Sequence, residues 1–460
     1  MSADTLTPCD ALVLFGATGD LAGKMVLPAL ARLGTLGVRV PIVGVSRRPI
    51  AAADVLERVR ERLAREDPTA APIIATLADR FRCVSGDAED PRTYEEIRRA
   101  LGDAQHPLHY LAIPPELFAP VTLALGRADL ARGARIALEK PFGRDLESAR
   151  ALERTVEQVF PEESIFRIDH FLGKDPVHNL ADMRCSTAWL EPLWSHANVR
   201  SVQITMAEAF GIGTRGSFYE DVGVLRDVFQ NHLLQLVALV AMEPVPLADG
   251  EAFGNARIEA LRAIEPLEAG DVVYGQYEGY RDEPEVARDS QVATYMATRL
   301  HVDTPRFAGV PFYVRTGKRL AVTATTISLA LARLRAMRTD AAPDAACDHL
   351  RFRIGPGTAN IVLETHRLAP HTRDDRVPLS LAAALPSDED RDAYVNLLGA
   401  ALAGDHTISV RATGVTAAWR VVEPVLHADI PVHRYAQASW GPAEADRLLV
   451  RGERWYDPPP

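Results

Sequence analysis

The chain has 460 residues, 47% apolar and 25% charged, a composition that suits two or three globular domains and excludes disordered, collagen-like and disulfide-stapled classes. Its 51 basic and 62 acidic side chains leave a net charge of −11. That field repels nucleic acid and anionic membranes, so an anionic ligand needs its own local cluster of cations.

Cys9, Cys83, Cys185 and Cys347 lie far apart with no C-x-x-C pair, which points to a reducing compartment without structural zinc. Met1–Asp10 carries no secretory pattern, and the most apolar stretch, Leu233–Met242, is too short to span a bilayer. The expectation is a cytoplasmic protein with a small-molecule ligand, no nucleic-acid partner and no membrane.

In chain order, Ala11–Phe15 reads as a buried strand, followed by a glycine turn and a helical pattern over Leu21–Leu36. Val38–Val45 and Phe81–Ser85 read as strands with a helix, Val55–Arg65, between them. Leu108–Ile113 and Arg135–Leu138 continue the alternation, which predicts an α/β domain with a doubly wound parallel sheet over residues 1–169. From about residue 170 strand-like runs (Val199–Met206, Ile327–Ala332, Ala359–Glu364) mix with helical ones (Gly223–Ala241, Asp388–Leu402). Asp340–Asp348 and His366–Asp375 read as loops. This order predicts a larger α+β domain with a mostly antiparallel sheet over residues 170–460.

Gly16-Ala17-Thr18-Gly19-Asp20-Leu21 sets two glycines between the first strand and its helix. Glycine permits the tight turn and lets backbone amides approach a pyrophosphate lying on the positive end of the helix dipole. The spacing is G-x-x-G rather than G-x-G-x-x-G, so a plain strand–turn–helix connection stays open. The second strand runs into Ser46-Arg47-Arg48. An acidic residue there would hold the ribose hydroxyls of NAD. Arginine suits the 2′-phosphate of NADP, with Thr18 as a second contact, against the alternative of a solvated basic turn.

Glu139-Lys140-Pro141-Phe142-Gly143 closes the last strand of the first series. A lysine at the carboxyl end of a parallel strand points into the crevice where such sheets bind ligands, and Pro141 is a candidate for a cis bond. Arg167-Ile168-Asp169-His170-Phe171-Leu172-Gly173-Lys174 packs a carboxylate, an imidazole and an ammonium among apolar residues. Each alone fits a satisfied structural group; together they suit anion binding and proton transfer.

Gly223–Gln235 reads as a buried helix. On an α-helix Asp227 and His232 stand about 140° apart and need not pair. A buried imidazole beside a carboxylate from another segment is a general-base arrangement, and a structural histidine is the alternative. No metal-ligating constellation is visible.

These elements resemble the glucose-6-phosphate 1-dehydrogenase family, whose signatures look like G-A-T-G-D-L-A, E-K-P-F-G, R-I-D-H-F-L-G-K and R-D-V-F-Q-N-H. Val310–Lys318 and Ser439-Trp440-Gly441-Pro442 extend the likeness over nearly the whole chain. The resemblance implies a Rossmann-like domain followed by a larger α+β domain. It also implies oxidation of C1 of glucose 6-phosphate to the lactone, the first oxidative step of the pentose phosphate pathway, with hydride passing to NADP. It casts His232 as the base and Asp169 as the carboxylate that orients it. His170 and Lys174 would bind the sugar phosphate, while Lys140, Glu208, Asp227 and Lys318 would position the sugar. Gly16, Thr18, Gly19, Asp20, Leu21, Arg47 and Lys140 would contact the cofactor, and the family suggests a homodimer or homotetramer.

The chain departs from the family pattern on the substrate side. Phe171 replaces a tyrosine, Met25 and Thr323 stand where basic residues are usual, and Phe218 and Glu220 alter the R-G-x-Y-Y-D run. Retained hydride chemistry with weaker phosphate affinity, or a different sugar, is the expectation. The competing readings are an oxidoreductase of the broader sugar-dehydrogenase group and a paralogue. That paralogue has either altered sugar-phosphate specificity or a degenerate role as a sensor of NADP and sugar phosphate.

Overall fold

The computed structural model describes residues 7–66, 68, 71–332, 348–356, 359–368, 376–385 and 390–459. They form two compact units. One holds Met1–Asp175, Ala248–Gly254 and Asp388–Thr416; the other holds Pro176–Leu247, Asn255–Ser387 and Ala417–Pro460.

The first unit is built on six strands: β1 (Ala11–Phe15), β2 (Ile42–Ser46), β3 (Phe81–Ser85), β4 (Pro107–Leu111), β5 (Arg135–Glu139) and β6 (Ile165–Ile168). Their order is 3-2-1-4-5-6 with every pair parallel. β1, β2, β4 and β5 are buried along their whole length, as strands of a parallel sheet covered on both faces must be. All carboxyl ends share one edge, and the strand order reverses at β1, the place where such sheets bind ligands.

Three elements differ from the sequence reading. The first helix, after Asp20 and Leu21, passes through a π-helical turn, Ala22–Val26, before α-helix Leu27–Thr35. The strand read as Val38–Val45 pairs only from Ile42, because Gly37 (φ 95°) ends the helix and Pro41 has no amide for the ladder. β6 was not predicted at all.

Its centre is a charged residue, Arg167, fully buried and held by two carboxylates. Arg167 donates to Glu153 (2.8 Å) and Glu162 (2.9 Å), and its amide donates to Ser409 Oγ (3.2 Å). Ser409 belongs to the segment that returns late in the chain to the first unit. Helix Asp390–Ala403 of that segment packs on Leu27–Thr35 and on the turn after β6.

The second unit carries nine strands: β7 (Val199–Ala207), β8 (Val272–Tyr277), β9 (Tyr295–Leu300), β10 (Phe312–Gly317), β11 (Ala324–Leu331), β12 (His349–Gly355), β13 (Ala359–Leu368), β14 (Arg376–Leu385) and β15 (Val432–Tyr435). The order is 14-13-12-11-7-10-9-8-15. Pairing is antiparallel except between β7 and β10 and between β8 and β15. β13 runs to Leu368, into the stretch read as a loop from His366. Residues 369–375 and 340–347 lie outside the described residues. Among the described residues no helix is long and apolar enough to cross a membrane.

Candidate active site

In the first unit the glycine turn follows β1. Gly16 takes φ 78°, and a Cβ there would collide with the Ala112 carbonyl, so only glycine lets the turn pass the end of β4. The amides of Gly16 and Ala17 donate to Val45 O (3.0 and 3.1 Å) and that of Gly19 to Gly16 O (2.8 Å). The turn is thereby locked, and the helix opens at Asp20 and Leu21.

Beside it lies a cavity of about 280 Å³ whose lining includes Thr18, Gly19, Asp20, Ile50, Arg58 and Arg62. Asp20 accepts from Arg62 (3.2 Å) and pairs with Lys24 (3.5 Å); the Arg62 hydrogen bond, then Lys24, hold its carboxyl below the ordinary range. Arg47 stands exposed after β2 and does not line the cavity. The helix arginines Arg58 and Arg62 were missed in the sequence, where Val55–Arg65 reads as an ordinary solvated face.

Lys140 follows β5, and the Lys140–Pro141 bond is cis. β5 and β6 pair through Glu139 and Ile168, so Lys140 and Asp169 leave adjacent strands at the same edge. Just before Lys140, the Glu139 carboxyl is buried and receives the Tyr110 hydroxyl. Burial pushes it up to about 7 against the lowering effect of hydrogen bonds from Tyr110 and Tyr394.

Asp169 starts a short turn, His170–Gly173, by accepting from the Phe171 amide (3.0 Å). Lys174 sits 4.2 Å over the Phe171 ring, so the ring that lacks the hydroxyl still seats the ammonium. Asn396 fixes the end of this turn by donating to Gly173 O and to Asp175 Oδ1 (both 2.9 Å).

In the second unit the segment read as one helix, Gly223–Ala241, spans three pieces: the end of helix Gly216–Val224, where Gly223 takes φ 60°, a π-helix Leu225–Leu233, and α-helix Leu234–Ala241. This corrects the expectation that Asp227 and His232 stand 140° apart. In a π-helix the hydrogen bonds run from i to i+5, so the α-helical angle does not apply between these two residues. Asn231 clasps the widened turn. Its Nδ2 donates to the carbonyls of Arg226 (3.0 Å) and Asp227 (3.2 Å), and its Oδ1 accepts from the His232 amide (2.7 Å). His232 is buried.

Lys318, at the end of β10, is buried with its ammonium paired to Glu208 and 3.5 Å from Asp227. Three of the predicted sugar-binding residues therefore form one cluster. Thr323 supports it by accepting from the amide of Ala209 (2.9 Å), and Arg319 (φ 54°) lies 3.8 Å from Glu283. Met25 packs against the core of the first unit.

Residues 13–179 match the family model described as glucose-6-phosphate dehydrogenase, NAD binding domain, and residues 181–457 the model for its C-terminal domain. Glucose-6-phosphate 1-dehydrogenase 1 of Mycobacterium tuberculosis is 39% identical, with 98% of this chain and 96% of that protein aligned. The crystal structure of glucose-6-phosphate 1-dehydrogenase from Mycobacterium avium superposes with a TM-score of 0.90 at 39% identity, over 98% of this chain and 99% of that one. A glucose-6-phosphate dehydrogenase solved with its substrate glucose 6-phosphate gives 0.86 at 28% identity, over 98% and 100% of the two chains. The doubly wound nucleotide-binding unit, the mostly antiparallel second unit and these matches place the chain in the glucose-6-phosphate dehydrogenase family.

Proposed function

We propose that this chain oxidises the C1 hydroxyl of glucose 6-phosphate to the 6-phosphogluconolactone, with NADP as oxidant, as the entry reaction of the oxidative pentose phosphate route. The observation that carries the reading is the buried Lys318 cluster with Glu208 and Asp227, in the unit that also buries His232. An ammonium between carboxylates offers donors and acceptors together, which suits the hydroxyls of a sugar.

His232 takes the proton of the C1 hydroxyl, and Asp169 orients the imidazole and stabilises its charged form. His170 and Lys174 bind the phosphate. Lys140, Glu208, Asp227 and Lys318 fix the ring so that the C1 hydrogen meets its acceptor. When bound, NADP would supply the hydride acceptor. Gly16 and Gly19 would shape its turn, the amides from Asp20 and Leu21 would bind the pyrophosphate, and Thr18 and Arg47 would hold the 2′-phosphate. The donor set fits NADP: the end of β2 offers Arg47 and Arg48 and no carboxylate, and Thr18 lines the neighbouring cavity. The protein works as a cytoplasmic homo-oligomer.

Phe171 gives a second strand to the proposal, weaker retention of the phosphate group, because Lys174 rests on a ring with no hydroxyl. Reduced-nicotinamide absorbance, followed with glucose 6-phosphate, galactose 6-phosphate and glucose against NADP and NAD, tests both. Turnover with glucose 6-phosphate and NADP is expected, with a high KM for the sugar. Binding without turnover would make the chain a sensor, and a low KM would remove the argument from Phe171.

A further inference from the structure

The Lys318 ammonium is only as well placed as the turn that carries it, and that turn is held by a buried hydroxyl that none of the roles above uses. Tyr435, in β15, is 3% exposed, and its Oη donates to Lys318 O (2.6 Å). With its proton engaged there, Oη accepts from Thr294 Oγ1 (3.1 Å), and Thr294 Oγ1 in turn accepts from the Tyr277 amide (3.0 Å). Thr294 O also receives the Lys318 amide (3.0 Å). Thr294 and Tyr435 therefore fix both backbone polar groups of Lys318, in a relay where every donor faces an acceptor. Burial, foremost, pushes the phenol above its ordinary range, so it keeps its proton as a donor.

The turn needs holding. Arg319, the next residue, takes φ 54°, a conformation that residues other than glycine rarely adopt and that persists only where the surroundings over-determine it. Its carbonyl receives the amide of Ala438 (2.8 Å), itself at φ 59°, and Ser439 O accepts from the Ala321 amide (2.9 Å). The chain that follows Tyr435 thus clasps the far side of the Lys318 turn. The same turn brackets Glu208, whose amide donates to Gly317 O (3.0 Å) and whose carbonyl accepts from the Leu320 amide (3.0 Å). Backbone placement here sets the Lys318–Glu208 ion pair directly.

We propose that Tyr435 is a positioning residue for sugar recognition: its hydroxyl holds Lys318 O, and through it the strained turn, so that the ammonium meets the sugar already paired with Glu208. The inference rests on the functional reading above, in which Lys318 and Glu208 bind the sugar, and deepens it. Tyr435 acts through the backbone of Lys318, without touching sugar or cofactor. Once the hydroxyl is gone, the buried carbonyl loses its side-chain donor and the turn relaxes. The ammonium must then be ordered at the expense of sugar binding, while the glycine turn for the dinucleotide, in the other unit, is unaltered.

Tyr435→Phe, which removes one oxygen and keeps the ring, tests this. It is expected to raise KM for glucose 6-phosphate about tenfold, with kcat changed less and with KM for NADP and NADPH affinity by fluorescence titration unchanged. Thr294→Val, which breaks the relay, raises the sugar KM in the same direction, and Thr294→Ser, which keeps the hydroxyl, restores it. The combined Tyr435→Phe and Thr294→Val losses fall short of their sum, because both act on one relay. Tyr313→Phe is the control for stability alone. It removes a buried hydroxyl of β10 that accepts from the Val450 amide (3.2 Å), and is expected to lower the thermal midpoint without moving either KM. An unchanged sugar KM in Tyr435→Phe, a parallel rise in both KM values, or an equal sugar effect from Tyr313→Phe overturns the proposal while leaving the function standing. No turnover by the unaltered chain overturns both.

Discussion

Phe171 and Glu139 show how single side chains set binding and pH behaviour at the edge of the parallel sheet. Restoring a phenol with Phe171→Tyr adds a donor beside Lys174, and a hydrogen bond to a charged group contributes roughly 1.5–3 kcal/mol. KM for glucose 6-phosphate is expected to fall about tenfold or more, measured by initial rates; no change would mean that the hydroxyl does not reach the phosphate. Glu139 acts through protonation. With its carboxyl pushed from 4.5 to about 7, the folded chain keeps a proton that the unfolded chain releases between those values. Stability is therefore lost as the pH rises through that window, by roughly 3 kcal/mol once above it. Glu139→Gln retains a partner for Tyr110 and carries no charge. Urea unfolding at pH 5 and pH 8 is expected to show its advantage over the natural chain growing with pH, and a constant gap would contradict the assignment.

At the scale of the element, the π-helix Leu225–Leu233 replaces the α-helical spacing between Asp227 and His232. It exists at the cost of a widened turn whose carbonyls Asn231 must satisfy. Asn231→Ala is expected to lose about 1–3 kcal/mol of stability and to lower kcat more than KM for NADP. Thermal unfolding and steady-state kinetics on the same samples check this; full kcat with reduced stability would show that the turn does not set the proposed role of His232. The apolar pattern of this segment made it legible as a buried helix, but 3.6-residue periodicity cannot reveal an inserted residue. β6 was hidden for another reason. Its buried Arg167 breaks the apolar run, and the partners that neutralise it, Glu153 and Glu162, lie outside the strand.

For the whole molecule, the parallel character of the first sheet and the mostly antiparallel character of the second were legible, because each follows from the pattern of strand-like and helical runs, whereas the order of the strands came only with the structure. The grouping of late segments with the first unit was not. Asp388–Leu402 reads as an ordinary helical stretch, and only the packing of Asp390–Ala403 on Leu27–Thr35 and the Asn396 hydrogen bonds to the turn after β6 show where it belongs. The candidate residues were legible as motifs, whose residue types name their chemistry. Arg58 and Arg62, which line the cavity beside the glycine turn, were not, since helix arginine carries no such signal until its surroundings are known.

The central claim is that His232 removes the proton as hydride leaves C1. The kcat of His232→Gln with glucose 6-phosphate, taken together with a fluorescence titration of NADPH, tests it most directly. A loss of about 10²–10⁴-fold in kcat with unchanged NADPH affinity is the predicted result. Turnover within a few-fold of the natural chain would contradict it.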